Sequence, residues 1–254
     1  MIDTHTHLYS EEFDNDFSEM FNRALDKGVK KFFLPAIDSS THRKMIDLEQ
    51  CYPDKVFAMM GLHPCSVKPE NWEKELQIVE TWLNNRPFCA IGEIGIDLYW
   101  DKSTLDIQIK AFEQQIDWAI ERDLPIIIHT RESFDETFEV LERKKHPKLR
   151  GIFHCFSGNI EQANRAINLN FLLGIGGVVT FKNGKIDQFL NEIPLEKIVL
   201  ETDSPYLAPV PFRGKRNESS YLELVAGKLV DIYQKDFSEI DRITTENALN
   251  LFEI

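Results

Sequence analysis

Seven histidines stand in the chain, and five of them sit where a divalent cation could be held. His5 and His7 are two apart on what reads as the first strand, so alternation points both imidazoles to one face. Two imidazoles facing one way form half of a metal site. Glu93 ends a fourth apolar run in Gly92-Glu93-Ile94-Gly95, and His129 ends a fifth after Pro125-Ile126-Ile127-Ile128. His154 ends a sixth, and Asp203 ends an eighth in Leu200-Glu201-Thr202-Asp203-Ser204-Pro205. His63 joins them in Gly61-Leu62-His63-Pro64. Singly, each has an ordinary explanation. A lone His after three isoleucines is more often a satisfied buried imidazole, and a lone Glu beside glycines is more often a turn residue. Jointly they end successive apolar runs, and the joint reading is a metal centre. Mixed imidazole and carboxylate donors suit Zn²⁺, Mn²⁺, Co²⁺ or Ni²⁺, whereas an all-oxygen shell would favour Mg²⁺ or Ca²⁺.

The elements that must position these residues are eight short β-branched or apolar runs. They are Met1–Thr4, Lys31–Ile37, Val56–Leu62, Cys89–Gly95, Pro125–Thr130, Gly151–Phe156, Phe171–Val179 and Ile198–Thr202. A helical pattern is expected after each. Leu105, Ile109, Phe112, Ile116 and Ala119 show it best, since their spacing keeps one helix face apolar. Asp16–Leu25, Arg43–Glu49, Trp72–Leu83, Phe134–Leu141, Ile160–Ile167 and Tyr221–Ile232 read the same way. Eight such units in 254 residues predict an α/β fold, a single (β/α)₈ TIM barrel spanning residues 1–254, with no internal repeat or linker. A doubly wound sheet is the alternative, but no Gly-rich phosphate fingerprint follows the first strand. In a barrel the working residues gather where strands end.

The chain carries, in order, Asp3-Thr4-His5-Thr6-His7, Gly61-Leu62-His63-Pro64, Gly92-Glu93-Ile94-Gly95-Ile96-Asp97, His129-Thr130-Arg131, His154-Cys155-Phe156-Ser157-Gly158 and Glu201-Thr202-Asp203-Ser204-Pro205-Tyr206-Leu207. Together these motifs resemble the TatD family of metal-dependent deoxyribonucleases, within the amidohydrolase superfamily. They run in family order from residue 3 to Asn217, so the resemblance covers essentially the whole chain. It implies a barrel with a two-metal centre. His5, His7, Glu93 and Asp203 would hold one ion, and Glu93, His129 and His154 the other, with Glu93 bridging. It implies a hydrolase acting on ester bonds, a deoxyribonuclease working on single strands or from 3′ ends. The family is often described as Mg²⁺-dependent, so the ion stays open among Zn, Mg, Mn, Co and Ni. One departure is visible: Ser219 stands where a proline is usual.

Asp203 is the expected proton acceptor, with Glu93 the other catalytic carboxylate. His63, Arg131, Lys182, Arg213 and Arg216 are expected to bind substrate, since the arginines and lysine follow the fifth, seventh and eighth strands and Arg forks onto phosphate oxygens. Tyr99, Trp100 and Tyr206 lie on the same rim and could stack on bases. The basic run Arg143–Arg150 precedes the sixth strand, so it belongs at the opposite face, as a solvated helix end. Beneath the histidines, alternation turns Asp3 and Glu201 inward, and at least one should accept from a metal-bound imidazole. Forty-two acids against twenty-nine bases, a net charge of −13, exclude a generic basic nucleic-acid coat and predict weak DNA affinity without metal. An amidohydrolase or esterase of small molecules using the same centre is the rival reading. Four widely spaced cysteines (Cys51, Cys65, Cys89, Cys155), no signal-like N-terminus and no membrane-length apolar run point to a soluble, cytoplasmic protein with no obligate protein partner.

Overall fold

The computed structural model describes residues 1–254. All eight expected strands form: β1 (Ile2–Asp3), β2 (Lys31–Pro35), β3 (Val56–Met59), β4 (Ile91–Asp97), β5 (Ile126–Arg131), β6 (Gly151–Phe153), β7 (Phe171–Ile175) and β8 (Ile198–Leu200). They pair in parallel in sequence order, β1 to β3 in one run and β4 to β8 in another. Two seams close the ring. Met60 bridges to Ile91, with Gly92 N–H donating to the Met60 carbonyl at 3.1 Å. Thr6 bridges to Ser204, and Thr4 N–H donates to the Leu200 carbonyl at 3.0 Å. A closed parallel ring wrapped by helices is the (β/α)₈ barrel.

Strand alternation divides the core in two. Ile2, Phe33, Met59, Ile127, Ile152 and Val199 form one cluster with Phe252, drawn from strands all round the ring, and so fill the barrel interior. Phe32, Leu34, Ile126, Ile128 and Phe153 lie in the larger cluster between strands and helices. The inward row continues from Ile127 to His129, from Ile152 to His154 and from Val199 to Glu201, because side chains two apart share a face. Packing below and chemistry above are thus one alternation.

The helices are α1 (Phe17–Asp26), α2 (Ser39–Cys51), α3 (Trp72–Asn85), α4 (Leu105–Arg122), α5 (Phe134–Arg143), α6 (Ile160–Asn168), α7 (Leu222–Tyr233) and α8 (Phe237–Phe252). The expectation of a helix after every strand fails at β7. Four single 3₁₀ turns, from Gly177–Thr180 to Leu195–Lys197, fill that connection, where Gly176, Gly177, Gly184 and Pro194 interrupt any helical period. Two helices follow β8 instead. The second, α8, has no counterpart among the expected helices, yet its Phe252 stacks on Phe33 at 3.9 Å and seals the barrel floor.

Gly95 is where β4 and β5 approach closely. Its φ of +141° is glycine territory, and a Cβ there would overlap the His129 carbonyl. Gly95→Ala is expected to cost about 1–3 kcal/mol or more, since strain and overlap add. Melting should then fall by roughly 2–4 °C per kcal/mol for a chain of this length. A thermal scan matching the parent would refute the close-approach argument.

Candidate metal centre

His5 and His7 lie just beyond β1, which corrects the expectation that both stand on that strand; the strand itself is shorter than Met1–Thr4 at both ends. Alternation still holds because the extended path stays paired: Asp203 N–H donates to the His5 carbonyl at 2.9 Å and His7 N–H to the Ser204 carbonyl at 2.8 Å. Glu93 is a second correction. It stands third in β4 rather than at its end, within a register shift between Ile91 and Ile94. Such irregularities re-aim a side chain, and here the carboxylate turns to the ring axis. His154 follows β6 by one residue, and Asp203 follows β8 by three, with a left-handed φ of +55°. A non-glycine residue held there is characteristic of functional sites. Asn217 braces that loop, its amide donating to the carbonyls of Thr202 and Tyr206, both at 2.7 Å.

The two oxygens of Glu93 face different partners. Oε2 is 3.1 Å from His5 Nε2 and 3.9 Å from His7 Nε2. Oε1 is 2.8 Å from His129 Nδ1, 3.4 Å from His63 Nε2 and 3.8 Å from His154 Nε2. Asp203 Oδ1 lies 3.4 Å from His7 Nε2 and 3.8 Å from both His5 Nε2 and His154 Nε2. The four expected imidazole ligands are therefore gathered round Glu93, and three of them also face Asp203.

What the far side of each ring touches decides where its lone pair points. Tyr9 donates to the Pro35 carbonyl at 2.6 Å, so its oxygen accepts from His7 Nδ1 at 2.8 Å, leaving Nε2 bare toward the acids. Glu201 Oε1 lies 2.9 Å from His154 Nδ1, a charge contact without hydrogen-bond alignment, while Nε2 faces Glu93 and Asp203. Asp97 Oδ2 lies 2.8 Å from His129 Nε2, which turns Nδ1 to Glu93 Oε1. His63 is reversed: its Nδ1 accepts from Cys65 N–H at 3.0 Å, so the proton sits on Nε2 and an N–H points inward.

These donors fit cations. His5 is fully buried, and neither of its nitrogens has a hydrogen-bond partner. Bare nitrogens and carboxylate oxygens facing each other at these distances require positive charge between them. The electrostatics agree. Burial would raise the Glu93 carboxyl, yet His5, His63 and His154 facing it hold it well below the usual carboxylate range. Burial likewise works against charge on His154, but Glu201, Glu93 and Asp203 push it up to about 10. Asp203, despite its burial, is held below its ordinary value by His154 and His7. Cations entering such a site displace protons rather than add to them.

Of the two acids expected beneath the rings, Glu201 serves His154, and Gly174 makes room for it, since a Cβ there would overlap Glu201 Oε2. Asp3 is fully buried too, but it serves the backbone, accepting from Thr202 N–H at 2.9 Å and Thr202 Oγ1 at 2.6 Å. Burial pushes its carboxyl up to about 7. Tyr9 and Asp97 are partners of ligands that the motifs alone do not single out. A partial signal exists for Asp97, which follows Gly95 by two on regular β4, whereas Tyr9 lies in the turn after His7 and has none.

The rim is partly as expected. Arg131 lies over the Tyr99 ring at 3.7 Å and the Trp100 ring at 5.6 Å, and Tyr206 is 5.9 Å from the His7 ring. Lys182 is exposed, and Arg213 lies over Phe181 at 4.4 Å. Arg216 is the exception. Its guanidinium holds both Asp16 oxygens at 2.6 and 2.7 Å and the Glu12 carbonyl, so it braces the loop and is not free to fork onto phosphate. In the Arg143–Arg150 run, Arg143 pairs with Glu113, Lys144 with Asp117, and Arg150 with Asp123 and Glu253. Ser219 is buried, its hydroxyl 3.4 Å from that of Thr6. No helix is long and apolar enough to cross a membrane.

A family model described as "TatD related DNase" matches residues 2–253. An "uncharacterized metal-dependent hydrolase YabD" of Bacillus subtilis is 39% identical over 255 residues, covering 100% of this chain and 99% of that one. The crystal structure of YjjV, a TatD homologue from Escherichia coli, superposes with a TM-score of 0.94 at 30% identity, covering 100% and 98% of the two chains. A TatD-family hydrolase of Entamoeba histolytica, at 20% identity, shares the fold with a TM-score of 0.84 over 99% of this chain and 97% of that one. The chain belongs to the TatD-related DNase family.

Proposed function

We propose that this metal-dependent hydrolase cleaves phosphodiester bonds, as a deoxyribonuclease acting on single strands or strand ends with two divalent cations. The division of Glu93 carries the proposal. His5, His7 and Asp203 with Glu93 would hold one cation, and His129 and His154 with Glu93 the other, His154 Nε2 standing 3.8 Å from both Glu93 Oε1 and Asp203 Oδ1. Cations there supply Lewis-acid polarisation of a phosphoryl oxygen and acidify a water enough to attack near neutral pH. Asp203, kept ionised by the surrounding imidazoles, takes that water's proton. His63 plays the opposite part, its inward N–H suited to a phosphate oxygen or a leaving oxygen.

The rim supports a nucleic-acid substrate. Trp100 is 69% exposed and Tyr206 52%, on either side of the histidine cluster, where bases could stack. Arg131, backed by Tyr99, presents a planar fork for phosphate, with Lys182 and Arg213 on neighbouring loops. Turnover of a phosphodiester, an amide and an ester, each with Mg²⁺, Mn²⁺ and Zn²⁺, tests the assignment. Phosphodiester cleavage alone, faster on single strands than on duplex, is expected. Amide or ester turnover without it would overturn the reading. Within it, one stacked base is worth about 1–3 kcal/mol, so Trp100→Ala should raise KM for a single-stranded oligonucleotide roughly 5–150-fold with kcat little changed. An unaltered KM would remove Trp100 from the substrate path.

A further inference from the structure

Asp97 is 1% exposed and closes β4, four residues beyond Glu93. Both of its oxygens are engaged, in two directions. Oδ2 meets His129 Nε2 at 2.8 Å. Oδ1 accepts from Tyr99 N–H at 2.9 Å and Trp100 N–H at 3.1 Å, capping the turn that carries the two rim aromatics. Its backbone is fixed independently of either duty. Gln108 on α4 accepts from Asp97 N–H at 2.8 Å and donates to the Asp97 carbonyl at 3.1 Å. The side chain is thus held from behind and faces the centre and the rim at once.

We infer that Asp97 is a positioning residue that sets both the proton of His129 and the placement of the Tyr99–Trp100 turn. A carboxylate only accepts, so Asp97 holds an N–H at His129 Nε2, and Nδ1 is the nitrogen whose proton a cation would displace to take its lone pair. Nδ1 is the nitrogen 2.8 Å from Glu93 Oε1 and 3.2 Å from His63 Nε2. The competent face of His129 is therefore chosen from outside, by the residue that also orders the aromatics on which Arg131 rests. The link to the aromatics rests on the nucleic-acid reading above; the link to His129 does not.

Asp97→Asn separates the two duties. Its amide oxygen can still accept from the Tyr99 and Trp100 N–H groups, but its NH₂ donates toward His129 Nε2 and drives the proton onto Nδ1. Mn²⁺ titration by calorimetry should show one of two sites weakened about 10–100-fold, the size expected for loss of a ligand's outer partner. Nitrogen-15 spectra of the His129 ring should show the proton moved from Nε2 to Nδ1. With an oligonucleotide substrate, kcat should fall while KM holds. Asp97→Ala removes both duties, so KM for a single-stranded oligonucleotide should rise about 5-fold or more, and KM for bis(p-nitrophenyl) phosphate should not follow. Asp97→Glu, which keeps a carboxylate, should retain the ring proton at Nε2 and most of the cation affinity, and it serves if the Asn variant folds poorly. Parental Mn²⁺ affinity and an unmoved ring proton in Asp97→Asn would overturn the inference. An unchanged oligonucleotide KM in Asp97→Ala would overturn its rim half. If the parent protein cleaves no phosphodiester yet Asp97→Asn still loses cation affinity, the substrate reading fails and the His129 assignment stands.

Discussion

Glu93→Gln is expected to strip the centre of its cations and lower phosphodiester turnover by roughly 10³-fold or more. The side chain is 2% exposed, and its two oxygens face His5 and His7 on one side and His129, His63 and His154 on the other. The amide keeps the volume but offers a single neutral oxygen, and its NH₂ would be turned against bare nitrogens of either His5 and His7 or His129 and His154. Both cation positions lose their shared anion in one substitution. Metal ions contribute several kcal/mol of transition-state stabilisation, and each 1.4 kcal/mol is a factor of ten. Elemental analysis and rate, measured on one preparation, decide the matter. A full complement of ions in the Gln variant would show that Glu93 does not join the two halves.

Asp203→Asn should behave differently, and the difference is diagnostic. Asparagine keeps the size and one ligating oxygen but cannot take a proton. General-base catalysis is typically worth about 10²–10⁴-fold, and turnover should fall by at least that factor. The cation expected between Glu93, His129 and His154 should remain, because His129 and His154 both face Glu93 Oε1 and His129 has no contact with Asp203. The expected product is a protein that still carries metal and scarcely turns over. Near-normal turnover with full metal would mean that another group takes the proton. Loss of all metal would mean that Asp203 acts chiefly as a ligand.

Much of the centre is legible in the sequence because a parallel barrel repeats one local rule. His129 follows Ile127, His154 follows Ile152 and Glu201 follows Val199 by two residues, so the run that packs the interior also delivers the functional side chains to its mouth. The rule fails where backbone geometry is irregular. Glu93 reaches the axis through a register shift that nothing in Gly92-Glu93-Ile94 specifies locally, and the β7 connection replaces a helix with 3₁₀ turns. Arg216 has the sequence setting of a phosphate fork, but its partner, Asp16, lies two hundred residues away in the chain.

The residues themselves determined the barrel and pointed to the family and to six candidate donors, since alternation and motif spacing are local properties of the chain. Tertiary structure decided which atom of each donor matters. His7 bares Nε2 only because Tyr9 is held by the Pro35 carbonyl on β2, and His154 turns Nε2 to Glu93 and Asp203 with Glu201 beside its other nitrogen. His129 turns Nδ1 to Glu93 because β4 brings Asp97 against its other nitrogen. A ring proton goes where the strongest acceptor stands, and those acceptors come from neighbouring strands, so their positions existed only once the ring had closed.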